Sequence, residues 1–156
     1  MLDSLPLLVS LGAGLVGGVF FAFSAFVMKA LAELPAEHGI LAMQRINVVV
    51  LNPLFLGLFV GTAVLAGLCI FAAFFPWGTT RSSLLLTGGL SYLVGAFGVT
   101  AAFNVPRNER LGRLDAASRE AHDYWPVYLR GWLFWNHVRT LASVLAAGCA
   151  AGALAS

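Results

Sequence analysis

The chain has 156 residues, of which 60% are hydrophobic and 10% charged, with a formal net charge of +2 and a mean hydropathy of +0.87. Charged residues make up about a quarter of an ordinary soluble domain, so this composition excludes one. The small basic excess forms no stripe of the kind that binds nucleic acid and bears on membrane topology instead.

A spanning helix needs about 20 mainly apolar residues, and the windows 5–31, 48–75, 83–103 and 132–154 provide them. The opening MLDSLP has an acid and no basic n-region, so the first window is expected to be a span and not a signal peptide. The second helix is expected to begin near Ala36, just after Pro35, and to project beyond the bilayer. Pro53 then falls inside it and is expected to bend it. FFPWGTT, with Pro76, Trp77 and Gly78, reads as a tight interfacial turn.

After the third window Pro106 is expected to end the helix. Leu111, Leu114 and Ala117 in PRNERLGRLDAASREAHDYWP keep helical spacing among charges, which predicts a short amphipathic helix in the third loop. The fourth helix is read from about 125 to 154. The whole chain, 1–156, is thus a single all-α membrane domain, an antiparallel four-helix bundle.

Lys29, Arg45, Arg107, Arg110, Arg113 and Arg119 fall at one end of this bundle, and Arg81 alone at the other. The positive-inside rule puts loops one and three in the cytoplasm and both termini outside, in a multi-pass cell-membrane protein. Gly14, Gly18 and Ala22, Gly57 and Gly61, and Ser91 and Gly95 recur at four-residue spacing, the pattern of close helix packing in lipid. Cys69 and Cys149 lie in apolar runs and read as packed thiols, although similar depth makes a disulfide conceivable.

The fourth helix contains WLFWNHVRT, an odd stretch for a lipid-facing run. Successive helix residues turn by about 100°, which gathers Trp125, Tyr128, Trp132, Asn136, Arg139 and Ser143 into one stripe. Arg130 and His137 lie about a quarter-turn away by the same spacing. Asn47 and Gln44 on the second helix, with Asn104 and Asn108 on the third, fall at the same depth. Every acid (Asp3, Glu33, Glu37, Glu109, Asp115, Glu120, Asp123) lies outside the apolar spans or at their edges, so Arg139 has no carboxylate at its own level. An Arg at a helix centre costs at least about 2.5–3.5 kcal/mol on the lenient insertion scale. Water, the amides, a carbonyl, a lipid phosphate or an anionic ligand must offset that cost. Asn–Asn bonds that merely lock the bundle are the plain alternative.

A single His with no thiolate or carboxylate nearby does not make a zinc or iron site. Haem would need an axial ligand, for which only His137, Met28 or Met43 are candidates, and no second His on another span pairs with His137. No phosphate loop or nucleotide fingerprint occurs.

GLVGGVFFAFSAFVM, MQRINVVVLNPLF, TAAFNVPRNERL and WPVYLRGWLFWNHVRT, in this order and spacing, resemble the anthrone oxygenase-like family of small four-span membrane proteins over essentially the whole chain. The resemblance implies a monooxygenase that takes anthrones to anthraquinones with dioxygen and no classical cofactor. It carries Asn47, Asn104, Asn108, Trp125, Trp132, Asn136, His137 and Arg139 over as site residues. On that reading His137 is a general base, and Arg139 with Asn104 and Asn136 stabilises an oxyanion. Trp125, Tyr128 and Trp132 would hold a flat aromatic substrate such as an anthrone or quinol.

Two other classes fit the residues. One is a non-enzymatic binder or carrier of a quinone, lipid or amphipathic anion at Arg139; the other is an accessory membrane subunit. The partners implied are a hydrophobic aromatic or lipid-like small molecule and membrane lipids, with no nucleic acid; self-association is compatible with the small-residue faces.

Overall fold

Proline positions and caps set the helix boundaries in the computed structural model, which describes residues 4–75 and 77–156; Asp3 and Pro76 lie outside the described residues. Among the described residues the helices are α1 (Leu5–Glu33), α2 (Ala36–Val49), α3 (Pro53–Ala72), α4 (Thr80–Gly112) and α5 (Arg119–Leu154). All except α2 are long and apolar enough to cross a membrane. The chain is a helical membrane bundle in which α1, α3, α4 and α5 are the spans.

Pro53 does not bend a continuous helix; it starts one. The chain breaks after Val49, and Asn52 caps α3 by accepting from Phe55 N at 3.0 Å while its Nδ2 donates to Val49 O at 2.9 Å. A proline in the first turn gives up only an N–H that has no helical partner there. Pro106 likewise fails to end α4, which runs on to Gly112. It follows a π-type turn at Thr100–Asn104, where the helical bonds have already changed register, and Arg107 Nη1 donates to Phe103 O at 2.6 Å beside it. The amphipathic segment of the third loop is therefore Val105–Gly112, continuous with the span.

At the opposite end Gly78 takes a positive φ of 83°, open to glycine at no steric cost, in the turn before α4. Thr79 then caps α4 by accepting from Ser82 N at 3.1 Å.

The interior forms three stacked clusters. Val9, Cys69, Ala73, Leu85, Ala150 and Ala153 pack near the termini. Ala13, Val16, Phe20, Phe59, Ala63, Tyr92 and Ala96 fill the middle. Met28, Ile40, Met43, Leu111, Tyr124, Trp125, Tyr128 and Trp132 pack where α2 covers the end of α4 and the start of α5. Gln44 fastens that cover, its Nε2 donating to Leu111 O at 2.8 Å and Leu114 O at 2.9 Å. Both cysteines are buried and free.

The close helix contacts run through glycines other than most of those expected. Gly14, Gly18, Gly57 and Gly61 face open space, whereas Gly12 lies against Thr62, Gly17 against Ser143 and Gly89 against Ala66 and Ile70. Gly95 keeps its expected role, since a Cβ there would stand 2.5 Å from Ala142 Cβ. Four-residue spacing says which residues share a face, not whether that face meets lipid or protein. Both surroundings are apolar, so hydropathy does not distinguish them.

Candidate functional site: a polar layer between two apolar clusters

Between the middle cluster and the aromatic cluster α1, α4 and α5 each contribute hydrogen-bonding groups. They come from Phe20 O and Ser24 on α1, Thr100 and Asn104 on α4, and Asn136, Arg139 and Thr140 on α5. Ser24 lies in a π-type turn at Phe23–Val27, and Thr100 and Asn104 in the π-type turn of α4. Such widened turns re-aim side chains and recur at functional sites.

Asn136 organises the layer. Its Nδ2 donates to Phe20 O at 2.7 Å and to Ser24 Oγ at 2.8 Å, which commits both amide hydrogens and turns Oδ1 toward Arg139. Arg139 Nη2 donates to that Oδ1 at 2.6 Å, and Nη1 donates to Thr100 Oγ1 at 3.2 Å. The guanidinium carbon stands 4.2 Å from the Phe20 ring centroid and 5.0 Å from that of Trp132. Hydrogen bonds to a charged group contribute about 1.5–3 kcal/mol, and a desolvated cation–π contact about 2 kcal/mol. Amide, hydroxyl and rings thus do for the cation what a carboxylate would otherwise do. Arg139 is 5% exposed, and among the described residues its Nε has no partner; the same holds for the buried Asn104 Oδ1 and Ser143 Oγ.

One turn toward the loops lies a second tier. Asn108 Oδ1 accepts from both Tyr128 OH and Trp132 Nε1 at 2.8 Å, and Asn47 Nδ2 makes a long contact of 3.5 Å to Tyr128 OH. Trp125, Tyr128 and Trp132 stack on each other at centroid distances of 5.6 and 6.4 Å. Trp132 joins the tiers: its carbonyl accepts from Asn104 Nδ2 at 3.2 Å, its ring N–H goes to Asn108, and its face meets Arg139. The aromatic residues expected to clasp a flat molecule fill their own space with each other.

The structure therefore brings together Asn47, Asn104, Asn108, Trp125, Tyr128, Trp132, Asn136 and Arg139. His137 does not join them. It is exposed on the outer face of α5 while Asn136, one residue before, is fully buried. A step of one residue turns the side chain by about 100°, enough to carry it out of the layer. A role as general base beside Arg139 has no geometric support here. Phe20, Ser24, Thr100 and Thr140 belong to the layer and escaped the sequence reading. The signal available for three of them was a lone hydroxyl in an apolar run; Thr140 Oγ1 donates to Asn136 O at 2.9 Å and lies 3.2 Å from Ser24 Oγ.

The sequence profile of the family described as anthrone oxygenase matches residues 54–149, which include Asn104, Asn108, Trp132, Asn136 and Arg139 but not Asn47 or Ser24. No curated protein and no solved structure matches the chain. With well over half of its residues matched, from the first turn of α3 to near the end of α5, the chain belongs to the anthrone oxygenase family.

Proposed function

We propose that the protein is a membrane-embedded oxidoreductase acting on a hydroxyaromatic small molecule of the anthrone or quinol type, with Arg139 as the group that binds the substrate's oxyanion. The observation that carries this reading is a buried guanidinium held by neutral partners, whose Nε has no acceptor among the described residues. A cation that no carboxylate neutralises keeps its full attraction for a developing negative charge in a low-dielectric site.

For an anthrone the chemistry is compact. Loss of a benzylic proton gives a phenolate-like anion whose oxygen is held by Arg139. Dioxygen then converts the CH2 group to a carbonyl, one oxygen atom entering the product and the other leaving as water. Asn136 is a positioning residue, since it aims the guanidinium. With His137 facing outward, the reading assigns proton loss to solvent and to the acidity that Arg139 confers on the substrate. Trp132 and Phe20 must part from the guanidinium to admit a ring.

A second reading, a binder of amphipathic anions, is favoured by the lack of any carboxylate or imidazole in hydrogen-bond contact with Arg139 among the described residues. Oxygen uptake separates the two. Detergent-purified protein given an anthrone should consume one dioxygen per quinone formed, and Arg139→Met should lower kcat/KM by about 10²-fold or more, the scale of losing an oxyanion donor. Anion binding that depends on Arg139 without oxygen uptake would establish the binder and overturn the oxidoreductase.

A further inference from the structure

The seam between α4 and α5 carries features that the polar layer does not use. On α5, Gly131, Trp135, Val138, Ala142 and Leu145 share one face by helical spacing. Toward the termini this face becomes a groove of about 590 Å³ lined by Leu90, Ser91, Val94, Gly95, Leu141 and Leu145, among others. Its floor is shallow because Gly95 lets α4 approach Ala142.

Toward the loops the same seam turns basic. Arg107 crosses from α4 onto α5 at Gly131, where a Cβ would stand 2.9 Å from its Nε. With glycine there the guanidinium lies close on the helix backbone, and a larger residue would push the Arg107 side chain aside. One Arg107 nitrogen, Nη1, serves Phe103 O. Arg130, the residue just before Gly131 on α5, is exposed, as is His137 two turns further. Among the described residues no ion pair involves Arg107 or Arg130, whereas the nearby Arg113 and Arg119 pair with Glu109 and Asp123. Between the basic end and the groove, Phe103 and Trp135 stack flat at 3.6 Å between centroids.

We propose that this seam binds one anionic diacyl phospholipid, its phosphate on Arg107 and Arg130 and one acyl chain in the groove. Charge and depth both fit. Two guanidinium groups without carboxylates select an anionic headgroup over a zwitterionic one. At 1.5 Å per residue, Arg130 lies about 12 Å along the axis from Val138, where the groove begins. The headgroup layer is roughly 5–8 Å thick on each side of the hydrocarbon, so a phosphate at Arg130 places its chain at the groove's depth. Phe103 and Trp135 provide the flat apolar step between the two.

The test uses the whole protein in nanodiscs of equimolar phosphatidylglycerol and phosphatidylcholine, released into detergent and examined by native mass spectrometry. One phosphatidylglycerol should remain bound in about fivefold to tenfold preference, the scale of a basic contact at a bilayer surface. Arg107→Ala with Arg130→Ala should erase the preference, and Arg130→Gln alone, at an exposed position, should weaken it without disturbing the fold. Val138→Trp, which blocks the groove, should reduce retention of both lipids. Glycerol phosphate should fail to displace the lipid. Equal retention of the two lipids by the unaltered protein, an unchanged preference in Arg130→Gln and the double variant, or full displacement by glycerol phosphate would overturn the proposal. None of these results depends on whether the protein turns over an anthrone.

Discussion

The two ends of the bundle are built on opposite rules. Near the termini the contacts are between alanines, glycines and short aliphatic chains, and Gly88 and Gly89 bring α4 against the backbones of α5 and α3. Near the loops tryptophan, tyrosine and amide groups join methionine, isoleucine and leucine in the interior, with Arg139 at its boundary. In lipid the first arrangement derives its stability from dispersion between closely approaching backbones. The second relies on hydrogen bonds among amides, hydroxyls and a guanidinium, and a single deletion leaves a charge or an amide stranded. The difference separates the part held by close backbone packing from the part held by a polar network.

Removing Asn136 should therefore hurt most. Asn136→Leu strips Arg139 of its amide acceptor, and leaving a buried charged group without its hydrogen-bond partner costs upwards of about 3 kcal/mol; adding Arg139→Met should recover part of that loss. Denaturant titration of the single and double variants checks this, and equal destabilisation by both would mean that the pair does not act as a unit. A smaller effect is expected at the tight end. Gly89→Val would place a Cβ 2.9 Å from Ala66 O, and overpacking of this kind costs about 1–3 kcal/mol. The matched control is Gly61→Val, which meets open space and should leave the melting temperature nearly unchanged. The smallest change is expected from His137→Ala, within about 0.5 kcal/mol for an exposed position. It should also leave oxygen uptake intact; a large loss of turnover would return His137 to the site and collapse the contrast between buried Arg139 and its outward neighbour.

Much of the architecture was legible because hydrophobic length is a strong signal. The apolar windows became α1, α3, α4 and α5, and the register of α5 correctly put Trp125, Tyr128, Trp132, Asn136 and Arg139 on one side. The gathering of Asn47, Asn104 and Asn108 followed from depth alone. What escaped depended on partners outside the local sequence. Pro53 reads from sequence as a bend inside one helix, whereas Asn52, by capping α3, makes it the start of another. Gly14 and Gly18 looked like a seam because nothing in an apolar stretch distinguishes lipid from a neighbouring helix. His137 looked catalytic because of its chemistry, while its angle on the helix, already a quarter-turn from the stripe, pointed away. Ser24 and Thr100 were hidden because one hydroxyl barely alters a hydropathy window.

Because both hydrogens of the Asn136 amide are held by α1, that group has one permitted orientation. An aspartate there would keep the shape but forfeit both bonds to α1, and a leucine would keep the apolar volume but offer the guanidinium nothing. The first span thus acts at a distance on the charge in the last, fixing its direction through a single rigid intermediary. A disturbance at Ser24, far away in the chain, would be felt at Arg139 as a loss of aim.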